Sequence, residues 1–137
     1  MGVERDILVI DDDRDLVQSI RIVLESRRYQ VRDAFNGKEG YARVEEKIPD
    51  LILLDVMMAT DTEGFDLAYK LKNDPAYENI PIVMVTAFPK KMAEQGPERF
   101  QHILGESWPV NHLLEKPIDP DVLLSTIEEV LREEETM

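Results

Sequence analysis

The sequence predicts an α/β domain, an open parallel β-sheet with helices on both faces. Three observations carry that prediction. Short apolar runs alternate with longer amphipathic stretches about five times along the chain, the pattern of repeated right-handed β-α-β crossovers. Three of the runs, ILVI at 7–10, LILL at 51–54 and IVMV at 82–85, are apolar at every position, as strands covered on both faces require. The chain has 137 residues, enough for one good core and too few for two independent ones.

The elements follow in order. The first strand, 7–10, runs into Asp11, Asp12 and Asp13, after which Leu16, Ile20, Val23 and Leu24 share one helical face. Residues 30–34, QVRDA, are more polar and predict an edge strand. Tyr41 and Val44 mark a second helix, and the strand at 51–54 then ends at Asp55. Phe65, Leu67, Ala68 and Leu71 give the third helix its apolar face. The fourth strand, 82–86, closes on Thr86, and a fifth, 112–115, is followed by Lys116 and Pro117. In the last helix Asp119 and Asp121 flank Pro120 as cap and first-turn residues, and Val122, Leu123, Ile127, Val130 and Leu131 form a stripe. One domain is expected over 1–137, with a core at about 7–131 and an acidic tail at 132–137. There is no internal repeat, low-complexity tract or linker.

Composition excludes several classes of function. The net charge of −13 repels phosphate backbones and anionic lipid, so neither nucleic acid nor a membrane is an expected partner. Nearly half of that excess lies from Glu115 onward, where eight acids stand against two bases, the solvated face and end of a helix. With no cysteine there is no disulfide framework, thiolate nucleophile or Cys-ligated metal, and two histidines make a His-rich zinc site improbable. No run approaches the roughly 20 apolar residues of a membrane span, and a cytoplasmic location is expected.

In open parallel sheets, ligands bind at the carboxyl ends of the strands. Here those ends carry Asp11, Asp12 and Asp13 from the first strand, Asp55 from the third, Thr86 from the fourth and Lys116 from the fifth. Each has an ordinary explanation taken alone: a helix cap, a turn cap, a β-branched strand residue, a solvated lysine. Their joint occurrence at the ends of different strands points to a site. Converging carboxylates repel one another, the more so at low dielectric, and a hard divalent cation such as Mg²⁺ offsets that cost with oxygen ligands. A carboxylate nucleophile with metal, hydroxyl and ammonium around it suits phosphoryl transfer, which chiefly demands positioning and charge neutralisation.

These same segments resemble a known family, the receiver domain of two-component response regulators, with chemotaxis regulators among its members. ILVIDDD is similar to its first strand and acidic pair, LILLDVMM to its phosphoacceptor strand, DPAYENIPIVMVTA to its fourth strand and EKPID to its Lys-Pro signature. The resemblance runs from about Ile7 to Leu131 with every signature in order. It implies a doubly wound, flavodoxin-like sheet of five strands in the order 2-1-3-4-5. It further implies a switch in a two-component phosphorelay, with Asp55 accepting a phosphoryl group from the phosphohistidine of a sensor histidine kinase or histidine phosphotransfer protein. Asp11, Asp12, Asp55 and the backbone carbonyl of Met57 are the implied Mg²⁺ ligands, with Asp13 outside the set as a helix-start residue. Lys116 is implied to pair with Asp55 before transfer, and Thr86 to bond the phosphoryl group after it. Pro117 matches a position that is commonly cis. Such a protein is not a conventional enzyme, although it promotes its own phosphorylation and dephosphorylation. A downstream protein target and a phosphorylation-dependent homodimer also belong to what the family implies, and a stand-alone switch is expected because no effector domain follows the last helix.

Departures from the family pattern fall around the site. Leu113 stands three residues before Lys116, where the family usually has an aromatic, and the turn 59–64 lacks its proline. The stretch between Thr86 and Lys116 is several residues longer than usual. Within it Phe100, Ile103 and Leu104 have core spacing, Trp108 is a candidate partner anchor, and Phe88 a candidate shield for the phosphoaspartate. The alternative function is a phosphorylation-independent pseudo-receiver used for docking. An aspartyl-nucleophile phosphohydrolase is disfavoured because Met57 occupies the place of its second Asp, and a dinucleotide enzyme because no Gly-x-Gly-x-x-Gly follows the first strand.

Overall fold

In the computed structural model, which describes residues 5–56, 58, 63–86 and 112–135, five parallel strands form one sheet in the order β2-β1-β3-β4-β5. The strands are β1 (Asp6–Ile10), β2 (Gln30–Ala34), β3 (Leu51–Asp55), β4 (Ile82–Thr86) and β5 (His112–Glu115). The helices are α1 (Arg14–Glu25), α2 (Gly37–Glu46), α3 (Glu63–Lys72) and α4 (Pro120–Glu135). The implied strand order is therefore the observed one, and the polar QVRDA segment is an edge strand.

Successive side chains of a strand point to opposite faces, and here both faces are apolar. On one, Ile7, Val9, Val31, Leu51, Leu53, Val83 and Val85 pack with Val17, Ile20 and Leu24 of α1 and the buried residues of α4. On the other, Leu8, Ile10, Ala34, Ile52, Leu54, Ile82 and Met84 pack with Val44 of α2 and Phe65, Leu67, Ala68 and Leu71 of α3. The described helices thus divide two to a face, and the all-apolar strand runs are explained. Three details of the helices differ from the sequence expectation. Val17 joins Ile20 and Leu24 as the buried set of α1, with Leu16 and Val23 at its margin. On α4 the stripe is rotated, so that Leu124 is buried and Val122 is 48% exposed. Helix α4 also continues through Glu135, so most of the expected acidic tail is helical.

The helix starts are built as their sequences suggest. The Asp13 carboxylate accepts from the Asp15 and Leu16 amides at 3.1 Å each, capping α1. Asp119 does the same for α4, accepting from the Asp121 amide at 2.8 Å. At the amino edge of the sheet, buried Asp6 is matched by a full guanidinium. Arg32 donates to Asp6 through Nη2, 2.7 Å from Oδ2, and through Nε, while Nη1 reaches the carbonyl of Arg43 and Nη2 that of Lys47. That closes the end of the molecule opposite the strand-end acids.

Candidate functional site

Strand register fixes the carboxyl edge. Ile10 pairs with Leu54 across β1 and β3, and Asp55 pairs with Val85 across β3 and β4. Thr86, one residue further, pairs with Glu115 across β4 and β5, directly before Lys116. The acids and the lysine therefore leave the sheet side by side. Asp55 is the last residue of β3 itself, where the sequence suggested a strand ending at Leu54.

One carboxylate oxygen from each of Asp11, Asp12 and Asp55 lies within 4.8 Å of the other two. Asp11 and Asp55 are each only 3% exposed, whereas Asp12 faces solvent. The Asp11 amide donates to Ala34 O, and Asp11 Oδ1 accepts from the Asp13 amide at 2.9 Å, so this side chain is held by the turn into α1. Lys116 Nζ stands 2.9 Å from Asp11 Oδ2 and 3.6 Å from Asp55 Oδ1. It pairs with Asp55, as the resemblance implied, and more closely still with Asp11. Burial opposes its charge, but the hydrogen bond it donates to Asp11 and the charges of Asp11 and Asp55 outweigh burial and raise its pKa above the ordinary lysine value. The Lys116–Pro117 peptide is cis.

Thr86 is fully buried and, among the described residues, its hydroxyl has no hydrogen-bond partner. Buried hydroxyls are ordinarily satisfied, so this one stands ready for an acceptor. Asp13 stays outside the cluster as the α1 cap. Leu113 is half-buried against the α2/α3 core. Met57, Phe88, Phe100, Ile103, Leu104 and Trp108 lie outside the described residues.

Sequence reasoning passed over one supporting residue. Gly64, near the start of α3, lies so close to β3 that a Cβ there would collide with Asp55 O and with the Val56 backbone. Its amide donates to Val56 O at 3.0 Å. A glycine beside the helix-forming run FDLAYKLK was the available signal.

A hard divalent cation fits the donor set. Three carboxylates supply only oxygen ligands, two of them from buried positions, and the described ion pairs of the cluster involve a single ammonium. The two buried acids contrast with Asp6, which has an arginine to itself.

The sequence matches the family model of the response regulator receiver domain over residues 7–128. The chain belongs to that family. This receiver is 34% identical over 130 residues to the phosphate regulon transcriptional regulatory protein PhoB of Pseudomonas aeruginosa, covering 95% of this chain and 53% of PhoB. It is 30% identical over 125 residues to protein PilH of the same organism, covering 91% of this chain and 96% of PilH. The chain thus spans about half of the first relative and nearly all of the second. Among solved structures it resembles a CheY-like response regulator receiver domain protein from Methanospirillum hungatei, with a TM-score of 0.79 and 27% identity over 98% of each chain. No described helix of the receiver is long and apolar enough to cross a membrane.

Proposed function

We propose that this receiver is a phosphoacceptor switch in which Asp55 takes a phosphoryl group from the phosphohistidine of a histidine kinase or histidine phosphotransfer protein. The observation that carries it is the convergence of Asp11, Asp12 and Asp55 within 4.8 Å, beside the Lys116 ammonium, on the carboxyl edge of the sheet.

In the transfer, an Asp55 carboxylate oxygen forms the new O–P bond as the P–N bond to the donor imidazole breaks, its electron pair remaining on the ring nitrogen. Asp11, Asp12, Asp55 and the Met57 carbonyl are the proposed ligands of Mg²⁺, which when bound neutralises charge on the transferring oxygens. Lys116 is within reach of both buried carboxylates and supplies the positive charge of the chain itself. The acyl phosphate places roughly −1.5 to −2 charges where one stood, with new acceptor oxygens. Thr86, on the neighbouring strand, carries a buried donor with no partner among the described residues, and engaging it shifts β4 toward the phosphorylated state. Hydrolysis of the mixed anhydride resets the site. The protein acts as a self-modifying signalling device rather than a conventional enzyme, working in the cytoplasm on a downstream protein.

The test is incubation with acetyl phosphate and Mg²⁺, followed by mass spectrometry of the intact chain. The wild type gains one phosphoryl group and Asp55→Asn gains none, while circular dichroism shows both folded. Uptake by Asp55→Asn at the wild-type rate would overturn the assignment.

A further inference from the structure

A second group of metal-ligating side chains lies away from the carboxyl-edge site. His112 opens β5, four residues before Lys116, hence about 13 Å back along the strand toward its amino end. Helix α4 runs back over the sheet after β5, so its late residues come down to the same level. One ligand atom from each of His112, Glu129 and Glu133 lies within 4.8 Å of the other two.

The placement follows from two periodicities. His112 and Leu114 point to the same face of β5, and Leu114 packs in the core that α4 covers. Glu129 and Glu133 are four apart on α4, so they stack one turn above the other on a single face. Two like charges at that spacing repel, and carboxylates near a helix carboxyl terminus also oppose the macrodipole. What the group presents is an imidazole and two carboxylates from two elements, with open positions toward solvent.

We propose that His112, Glu129 and Glu133 form a binding site for a divalent transition ion of the Zn²⁺, Co²⁺ or Ni²⁺ class, tying the start of β5 to the end of α4. The imidazole decides the class: nitrogen suits these borderline ions, whereas Mg²⁺ takes oxygen ligands. Three protein ligands with a further position left to water match the open arrangement that Zn²⁺ adopts outside closed structural sites. The two sites of the chain are thereby sorted by chemistry, hard oxygen donors at the carboxyl edge and a mixed nitrogen and oxygen set at the amino end of β5.

The test is titration of the full chain with Co²⁺ in excess Mg²⁺, which occupies the carboxyl-edge acids, following the visible Co²⁺ spectrum and the ring signals of His112 by NMR. One equivalent is expected to bind, with the His112 signals broadened or shifted. In His112→Gln, and independently in Glu129→Gln/Glu133→Gln, affinity falls by about tenfold or more. The glutamate pair is solvent-exposed, so the double variant folds whatever the fate of the histidine variant. Three results each overturn the site: no Co²⁺ bound in excess Mg²⁺, unchanged affinity in both variants, or His112 ring signals that do not respond to Co²⁺.

Discussion

Two carboxylates sit almost out of solvent at the carboxyl edge because Lys116 sits between them. Removing a cation from buried acids costs more than the pair itself is worth, since the acids remain. Lys116→Met is accordingly expected to lose about 3 kcal/mol in chelator, measured by urea unfolding, and to recover most of that loss when Mg²⁺ is added. Thr86 behaves oppositely. Among the described residues its buried hydroxyl has no partner, so Thr86→Val keeps the shape and removes an unsatisfied group. Stability in the same assay is expected to be unchanged or higher by up to about 1 kcal/mol, and a clear loss would show that the hydroxyl is bonded in the unphosphorylated state. The identities of Asp11, Asp12, Asp55, Thr86 and Lys116 were legible because each stands where an apolar run stops. The closer approach of Lys116 to Asp11 than to Asp55 was not, because it depends on side-chain reach across three strands.

Elements deliver these residues only if their packing holds, and α3 is the sensitive one. Gly64 lets the first turn of α3 touch the backbone of Asp55 and Val56. Gly64→Ala is expected to cost about 1–3 kcal/mol through overpacking and to slow phosphoryl uptake, because the obstructing atoms belong to the strand that carries Asp55. Gly40→Ala serves as the comparison. There a Cβ meets the side chains of Ile10 and Leu67 and no strand backbone, so a smaller loss with uptake near wild type is expected. Measuring both stability and uptake separates the two substitutions. The elements themselves were largely legible, since β2, β4 and β5 have the bounds that the sequence predicts. The phase of α4 was not. Val122 and Leu124 lie on either side of Leu123, and only the sheet beneath decides which of them is covered. Another local feature hidden from apolar patterning is the end of α1, where Arg28 takes a left-handed φ of 70°. There the Tyr29 amide bonds Leu24 O and the Arg28 amide bonds Glu25 O, a Schellman closure built without glycine.

At the scale of the molecule, the two edges of the sheet are electrically unlike. The amino edge holds Asp6 with Arg32, and at the carboxyl edge Asp11, Asp12 and Asp55 converge beside the Lys116 ammonium. The fold should therefore gain stability from a divalent cation. Differential scanning calorimetry is expected to show the melting temperature rising with Mg²⁺, by the equivalent of about 2.7 kcal/mol at a hundredfold excess over the dissociation constant. Asp11→Asn is expected to abolish most of that rise. The sheet's existence was legible from alternation alone, but the order β2-β1-β3-β4-β5 came from family resemblance, because spacing does not say on which side of β1 each new strand is laid. The register of β3 against β4 has a consequence for how such a chain can be altered. Asp55 is positioned opposite Val85 by ladder hydrogen bonds formed upstream of both strand ends. A deletion of one residue within 51–55 would break that register and carry Asp55 to the other face of the sheet.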